Sequence, residues 1–316
     1  MAGVELVGLS GVRAAARQLR RRVVRTPLLP SPWPGLWLKP ENLQPTGAFK
    51  LRGATYALAR LPAGRRAAGV VTHSSGNHGL ACAYAARAAG LPCTVVVPEA
   101  AAPHKVAAIR ELGAEVVPVP AGEREVRARR IADERRATLV PPYDHRDIIA
   151  GQGTVGLEIV ADLPDVDTVL VPVGGGGLAS GVAAAVTALA PGARVVGVEP
   201  ELAADARDSL AAGALRPWPV ERTYRTVADG LRTALSELTL AHLRAHLDRV
   251  VTVSEEEILD ATSRLLRGAR LVAEPSGAVA TAAFLHHRHE LPAGRTVAVV
   301  SGGNLDPVLL RRLADR

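Results

Sequence analysis

Residues 69–90 read GVVTHSSGNHGLACAYAARAAG. The first six form a short apolar, β-branched run of strand length. The remainder is an alanine-rich helical pattern that Gly90 can end. A strand running through a Ser/Gly/Asn turn directly into a helix is half of a β-α-β unit. The rhythm continues down the chain. CTVVVP (93–98) precedes the helical PHKVAAIRELG (103–113), and AEVVPV (114–119) precedes the charged EREVRARRIADERR (123–136). Further apolar runs are VDTVLVPV (166–173), ARVVGVEP (193–200), RVVTVS (249–254) and RTVAVVSGG (295–303), most of them joined by alanine-rich helical segments. This alternation predicts an α/β protein with mainly parallel sheets. There is no internal repeat and no low-complexity linker.

Open α/β sheets bind ligands beyond the carboxyl ends of their strands. The chemistry is therefore expected in the turns THSSGNHG (72–79), VPVGGGGLASG (171–181), VEPELAAD (198–205) and VVSGGN (299–304). The chain of 316 residues suits one large or two modest domains. Its net charge of +7 raises nucleic acid as a partner, but aromatics are only 3% and offer few stacking platforms. The densest basic run, RQLRRRVVR (17–25), reads as the solvated end of a helix that Ser10 could cap. No nucleic acid and no membrane are expected, since no apolar run is long enough to span a bilayer. The N-terminus carries no secretion pattern, and Cys82 and Cys93 read as free buried thiols. A cytoplasmic protein is expected.

Four contiguous glycines, Gly174, Gly175, Gly176 and Gly177, follow a buried strand and open a helix with Leu178. Backbone N–H groups converging there form a phosphate cradle, which a merely tight turn would not require. The tetrad lacks the G-x-G-x-x-G spacing of a dinucleotide site, although Glu199 could be taken for its acidic residue. Lysine is rare: of 38 basic residues only Lys39, Lys50 and Lys105 are lysines. Lys50 lies in TGAFKLRG (46–53), beside Phe49. A lysine amine forms an imine with an aldehyde, which a guanidinium cannot. Lys50 is thus either a surface lysine in a first helical turn or the partner of pyridoxal phosphate, whose phosphate would rest on Gly174–Leu178. Lys39 ends a strand and Lys105 opens an ordinary helix.

The blocks KPENLQPTGAFKLRGA, VVTHSSGNHG, IIAGQGTVGLEI, VPVGGGGLASG, VADGLRT, VAEPSGAVA and VVSGGNLD occur in one order between about residues 35 and 305. In this the chain resembles the serine/threonine dehydratase and serine racemase family, pyridoxal-phosphate enzymes of the tryptophan-synthase-β fold type (fold type II). The resemblance implies two open twisted, mainly parallel sheets flanked by helices, with the cofactor in the cleft between domains. Residues 1–68 and 144–316 would form the large domain and 69–143 the small one. Lys50 would bind the cofactor aldehyde and then act as base at Cα. Phe49 would pack on the ring, Asn77 would bond the ring 3-oxygen, and Ser301 would face the pyridine nitrogen. Glu274 would lie near the cofactor or cap its helix. The turn bearing Ser74, Ser75, Asn77 and His78 would meet the substrate. Arg124 would close over a substrate carboxylate or belong to a solvated helix face.

The same resemblance implies loss of water and ammonia from threonine or serine to give a 2-keto acid, in a homodimer. Within the family, SSGNHG is similar to the racemase version, where Ser75 would protonate Cα opposite Lys50 or simply stabilise the turn. VPPYDHRDIIAGQGT is similar to the dehydratases. Leu80 replaces a glutamine that belongs to a nucleotide-effector site in racemases, so stimulation by ATP is not expected. The chain ends at Arg316, soon after Ser301, and no amino-acid-sensing regulatory domain is expected. Glu199, the Ala203 carbonyl and Asp205 match the spacing of a divalent-cation site (Mg²⁺ or another) in racemase-like members; the other reading is a pair of surface acids at a helix start. A racemase, a 3-hydroxyaspartate dehydratase, a pathway-specific lyase or synthase on an unusual amino acid, and a nucleotide-binding oxidoreductase are the alternatives.

Overall fold

The structure, a computed structural model, describes residues 4–314 apart from Ser75 and Ala121. Its ten strands are β1 (Leu29–Pro30), β2 (Leu36–Pro40), β3 (Val70–His73), β4 (Cys93–Pro98), β5 (Glu115–Val119), β6 (Thr138–Leu139), β7 (Thr168–Pro172), β8 (Arg194–Pro200), β9 (Arg249–Val253) and β10 (Thr296–Val300). They form a six-stranded sheet in the order β1-β2-β10-β7-β8-β9 and a four-stranded sheet in the order β5-β4-β3-β6. Among the described residues only β1, at an edge, runs antiparallel to its neighbour; every other strand pairing is parallel. All strands of the smaller sheet lie between residues 70 and 139, and those of the larger sheet lie on either side of that stretch.

Parallel sheets are covered by helices on both faces, so their central strands are apolar throughout instead of alternating. β7 and β10 fit this rule, with every residue buried. The expected α/β architecture with two mainly parallel sheets is the one observed. The helix Lys50–Ala59 does not stay with one sheet. Its Leu51, Ala54, Ala57 and Leu58 join the core beside the four-stranded sheet, with Ala81, Cys82, Val95 and Ile109. Its other side meets the helix Arg146–Asp162. The helix that carries Lys50 thus packs against elements on both sides of the molecule.

Two local expectations are revised. The first helix spans Leu9–Leu19, with extended Gly8 at the cap position and no side-chain cap bond, so Ser10 lies inside the helix and does not cap it. The helix also ends before Arg20–Arg22, and Arg21 takes a left-handed φ of 64°. Most of the basic run therefore comes after the helix and does not decorate its last turn. Cys82 and Cys93 are free and buried, as expected.

Candidate active site

The carboxyl ends of β3, β7 and β10 converge with the start of the helix Lys50–Ala59. An isolated bridge pairs Ala48 with Gly302, and the Phe49 N–H donates to the Ser301 carbonyl at 3.1 Å. These backbone contacts place Phe49 and Lys50 beside the turn after β10. The Lys50 amine sits 5.0 Å from the centroid of the Phe49 ring and donates to the Pro142 carbonyl at 2.7 Å. Burial pulls its pKa down to about 8, so close to neutral pH a usable fraction of the amine is unprotonated.

The glycine loop meets the same region through Tyr143. A Cβ at Gly175 would come within 2.4 Å of the Tyr143 ring, so only glycine admits that ring. Gly176 has φ +85°, and a Cβ there would also strike Leu235. Gly177 opens the 13-residue helix Gly177–Leu189. Free N–H groups at such a start favour an anion. Pro142 and Tyr143 therefore join the Lys50 amine to the glycine turn. Sequence reasoning assigned Tyr143 no role; the signal was its place just before IIAGQGT, combined with glycines that can accept a ring.

Asn77 opens the helix Asn77–Ala89 and donates from Nδ2 to Glu274 Oε1 at 2.5 Å. Glu274 stands at the N-cap position of the helix Pro275–His286 yet makes no side-chain cap bond. Its carboxyl turns to Asn77 instead. Burial, aided by Asp229, raises that carboxyl to about 7. Asn304 Nδ2 donates to Asn77 Oδ1 at 2.7 Å and to the Thr46 carbonyl at 2.9 Å. Ser301 is 4% exposed and its hydroxyl donates to the Ser276 carbonyl at 3.3 Å. Phe49, Lys50, Asn77, Gly174–Leu178, Glu274 and Ser301 are thus brought into one region.

Other candidates lie differently. Ser74 Oγ accepts from the Gly76 N–H at 3.2 Å. Ser75 lies outside the described residues. His78 is 2% exposed and turned into the core, 3.0 Å from the Val140 carbonyl and 3.5 Å from Cys82 Sγ; burial drops its pKa to about 3. Arg124 is half-buried and donates to the Tyr224 hydroxyl at 3.3 Å, while Lys105 pairs with Asp229 at 3.1 Å. Both contacts run from the stretch that holds the four-stranded sheet to the stretch that holds the six-stranded one.

Glu199, Ala203 and Asp205 lie together at the end of β8, nearly fully buried. They are not the surface acids of the alternative reading. The Ala206 and Arg207 N–H groups donate to the two Glu199 oxygens at 2.9 and 2.8 Å, while Asp205 Oδ2 is buried without a hydrogen-bond partner. Burial raises Glu199 to about 8 and Asp205 to about 6. No group of three or more His, Cys, Asp or Glu side chains is arranged for a metal among the described residues. Leu80 packs at the margin of the core beside the four-stranded sheet.

No helix among the described residues is long and apolar enough to cross a membrane. A family described as Pyridoxal-phosphate dependent enzyme matches residues 19–302. The L-threonine ammonia-lyase of Geobacter sulfurreducens is 41% identical over 314 residues, which is 96% of this chain and 77% of that protein. The L-threo-3-hydroxyaspartate ammonia-lyase of Saccharomyces cerevisiae is 38% identical over 301 residues, covering 92% of this chain and 91% of the relative. Among solved structures, maize serine racemase matches with a TM-score of 0.93 at 36% identity, over 98% of this chain and 97% of that one. With that family matched over residues 19–302 and relatives about 40% identical along nearly the whole chain, the chain belongs to the pyridoxal-phosphate dependent enzymes.

Proposed function

We propose that this chain removes water and ammonia from a small β-hydroxy amino acid, threonine or serine, and releases a 2-keto acid. The observation that carries the reading is the Lys50 amine, lowered to about 8 and held next to Phe49 and the Tyr143–glycine loop. These residues fit pyridoxal phosphate: Lys50 suits its aldehyde, the N–H groups of Gly174–Leu178 its phosphate, Asn77 its ring oxygen, and Ser301 its ring nitrogen. When bound, the cofactor supplies an electron sink for negative charge developing at Cα.

The chain's own groups account for the rest. Lys50, with its pKa near 8, is a base of suitable strength to take the Cα proton, and that proton and the β-hydroxyl leave the substrate together as water. Ser301 would present a neutral hydroxyl, not a carboxylate, to the ring nitrogen, and a neutral group does not enforce protonation there. That limits how much charge the site stabilises and favours quick departure of the β-hydroxyl. Glu274 turned toward Asn77 keeps that amide donating into the site. In this reading residues 69–143 are the small domain, residues 1–68 and 144–316 the large one, and the chain works as a homodimer. The Lys105–Asp229 and Arg124–Tyr224 contacts would then bridge the two domains. The test is a panel of threonine, serine and 3-hydroxyaspartate isomers, scored for keto acid and for change of enantiomer. Keto acid from threonine or serine is expected. Keto acid from 3-hydroxyaspartate alone, or inversion alone, would overturn the substrate assignment. Ser75→Ala is the variant that would separate inversion from elimination.

A divalent cation at Glu199, the Ala203 carbonyl and Asp205 belongs to the same reading. A buried carboxylate oxygen without a partner is costly, and hard oxygen ligands suit Mg²⁺ or Ca²⁺. Adding Mg²⁺ at a hundredfold excess over its Kd should raise the melting temperature by about 4 °C. Asp205→Asn should remove the rise. No shift with either ion would sink the cation site and leave the lyase reading intact.

A further inference from the structure

We propose that Asn304 is a positioning residue that locks the amide of Asn77, so that an N–H and not a carbonyl faces the cofactor. An asparagine amide can turn by half a rotation and exchange its donor and acceptor ends at little cost in shape. Here the chain of contacts permits one orientation. Asn304 Nδ2 is within 2.9 Å of the Thr46 carbonyl, which can only accept, so that end of Asn304 is the amino end. The same Nδ2 is 2.7 Å from the near atom of Asn77, which must therefore be its carbonyl oxygen. At the far end Glu274 Oε1 accepts from Asn77 Nδ2. The Thr46 carbonyl, which cannot donate, thus fixes both amides through Asn304, and Glu274 accepts at the far end.

One hydrogen of Asn77 Nδ2 goes to Glu274, leaving the second for a ligand oxygen. Asn304 also lies against Gly47, where an added Cβ would come within 2.5 Å of Asn304 Oδ1. It therefore couples the approach to Lys50, at Thr46 and Gly47, to the start of the Asn77–Ala89 helix. These contacts link residues 258 and 227 positions apart. The inference rests on the reading in which Asn77 meets the ring oxygen of pyridoxal phosphate.

The sign of the effect separates orientation from packing. Aspartate has nearly the shape of asparagine, so a purely structural role makes Asn304→Asp milder than Asn304→Ala. An orientation lock reverses that order. The carboxylate of the Asn304→Asp variant can only accept, and it would turn Asn77 to present its carbonyl to the ligand. Apoproteins of wild type, Asn304→Asp, Asn304→Ala and Lys50→Ala are titrated with pyridoxal phosphate while Kd and the pH midpoint of the visible band are recorded. Asn304→Asp should raise Kd about tenfold or more and shift the midpoint, with Asn304→Ala smaller in both. If Asn304→Asp does not fold, Asn304→Ala carries the test: a raised Kd with a shifted midpoint supports the lock, and wild-type values overturn it. A normal band in wild type that Lys50→Ala abolishes, together with Asn304→Asp milder than Asn304→Ala, overturns the lock alone. A wild type that shows no band, or a Lys50→Ala variant that keeps it, overturns the lock and the functional reading together.

Discussion

Lys50→Ala and Lys50→Arg proteins will lack the visible band of the lysine-bound cofactor and form keto acid more than about a thousandfold more slowly than wild type. The arginine variant is the sharper test. It preserves positive charge in a chain that uses arginine at 35 of its 38 basic positions, so charge alone is already in supply. The substitution removes an amine able to bond an aldehyde and to exchange a proton near neutral pH. Lys105→Arg is the contrast, because its partly exposed pair with Asp229 asks only for a point charge; activity should stay within about threefold of wild type. The lowered Lys50 pKa also sets a pH test. Only the neutral amine attacks, so cofactor capture by the apoprotein should quicken as pH rises toward about 8 and level off above it. Capture that is flat from pH 6 to 9 would contradict a buried, lowered amine. A Lys50→Arg protein that keeps both band and turnover would end the proposal.

The parts of the fold that were legible had local causes. β4 and β8 lie within a residue of apolar runs that the sequence displays, since a buried parallel strand has to be nearly continuous in apolar residues. The glycine tetrad and Lys50 were legible because few other roles require those residue types there. The rest depends on routes through space. Nothing near Pro142 says that its carbonyl will meet an amine 92 residues earlier. Glu274 is consistent locally with a helix cap, and only the distant Asn77 draws its side chain away. The buried charges were the least legible of all. In an arginine-rich chain Arg52 looks like surface, and Lys39 looks like the end of a strand, yet both are 0% exposed.

Those charges lead to the second large expected effect: Arg52→Met should cost about 3–5 kcal/mol of stability, although Arg52 is two residues from Lys50 and not part of the proposed site. The Arg52 guanidinium forks onto both oxygens of Glu41 at 2.7 Å and both oxygens of Glu158 at 2.7 and 2.8 Å. Lys39 completes the group by donating to Glu158 and to the Thr26 carbonyl, each at 2.6 Å. Two cations balance two carboxylates where water is nearly absent, so removing one cation leaves a buried charge uncompensated. Burial by itself would raise the Glu41 carboxyl, and the guanidinium outweighs it to hold the group below its usual range. Without Arg52 the burial effect prevails and the Glu41 pKa rises. A carboxyl with a raised folded pKa loses stability as pH climbs past its unfolded value. The deficit should therefore be larger at pH 8 than at pH 5, with a melting temperature roughly 4–7 °C below wild type at pH 8. Arg52→Lys, which keeps the charge but not the fork, should fall between. The consequence reaches the chemistry because Arg52 lies in the first turn of the helix that Lys50 begins, and the fork holds that helix against the turn Glu41–Leu43 just after β2 and against the helix Arg146–Asp162. At temperatures where Arg52→Met is still folded, cofactor affinity should drop before turnover at saturating cofactor does. A variant that melts within about 1 °C of wild type at pH 8 would show that the cluster is not what anchors Lys50.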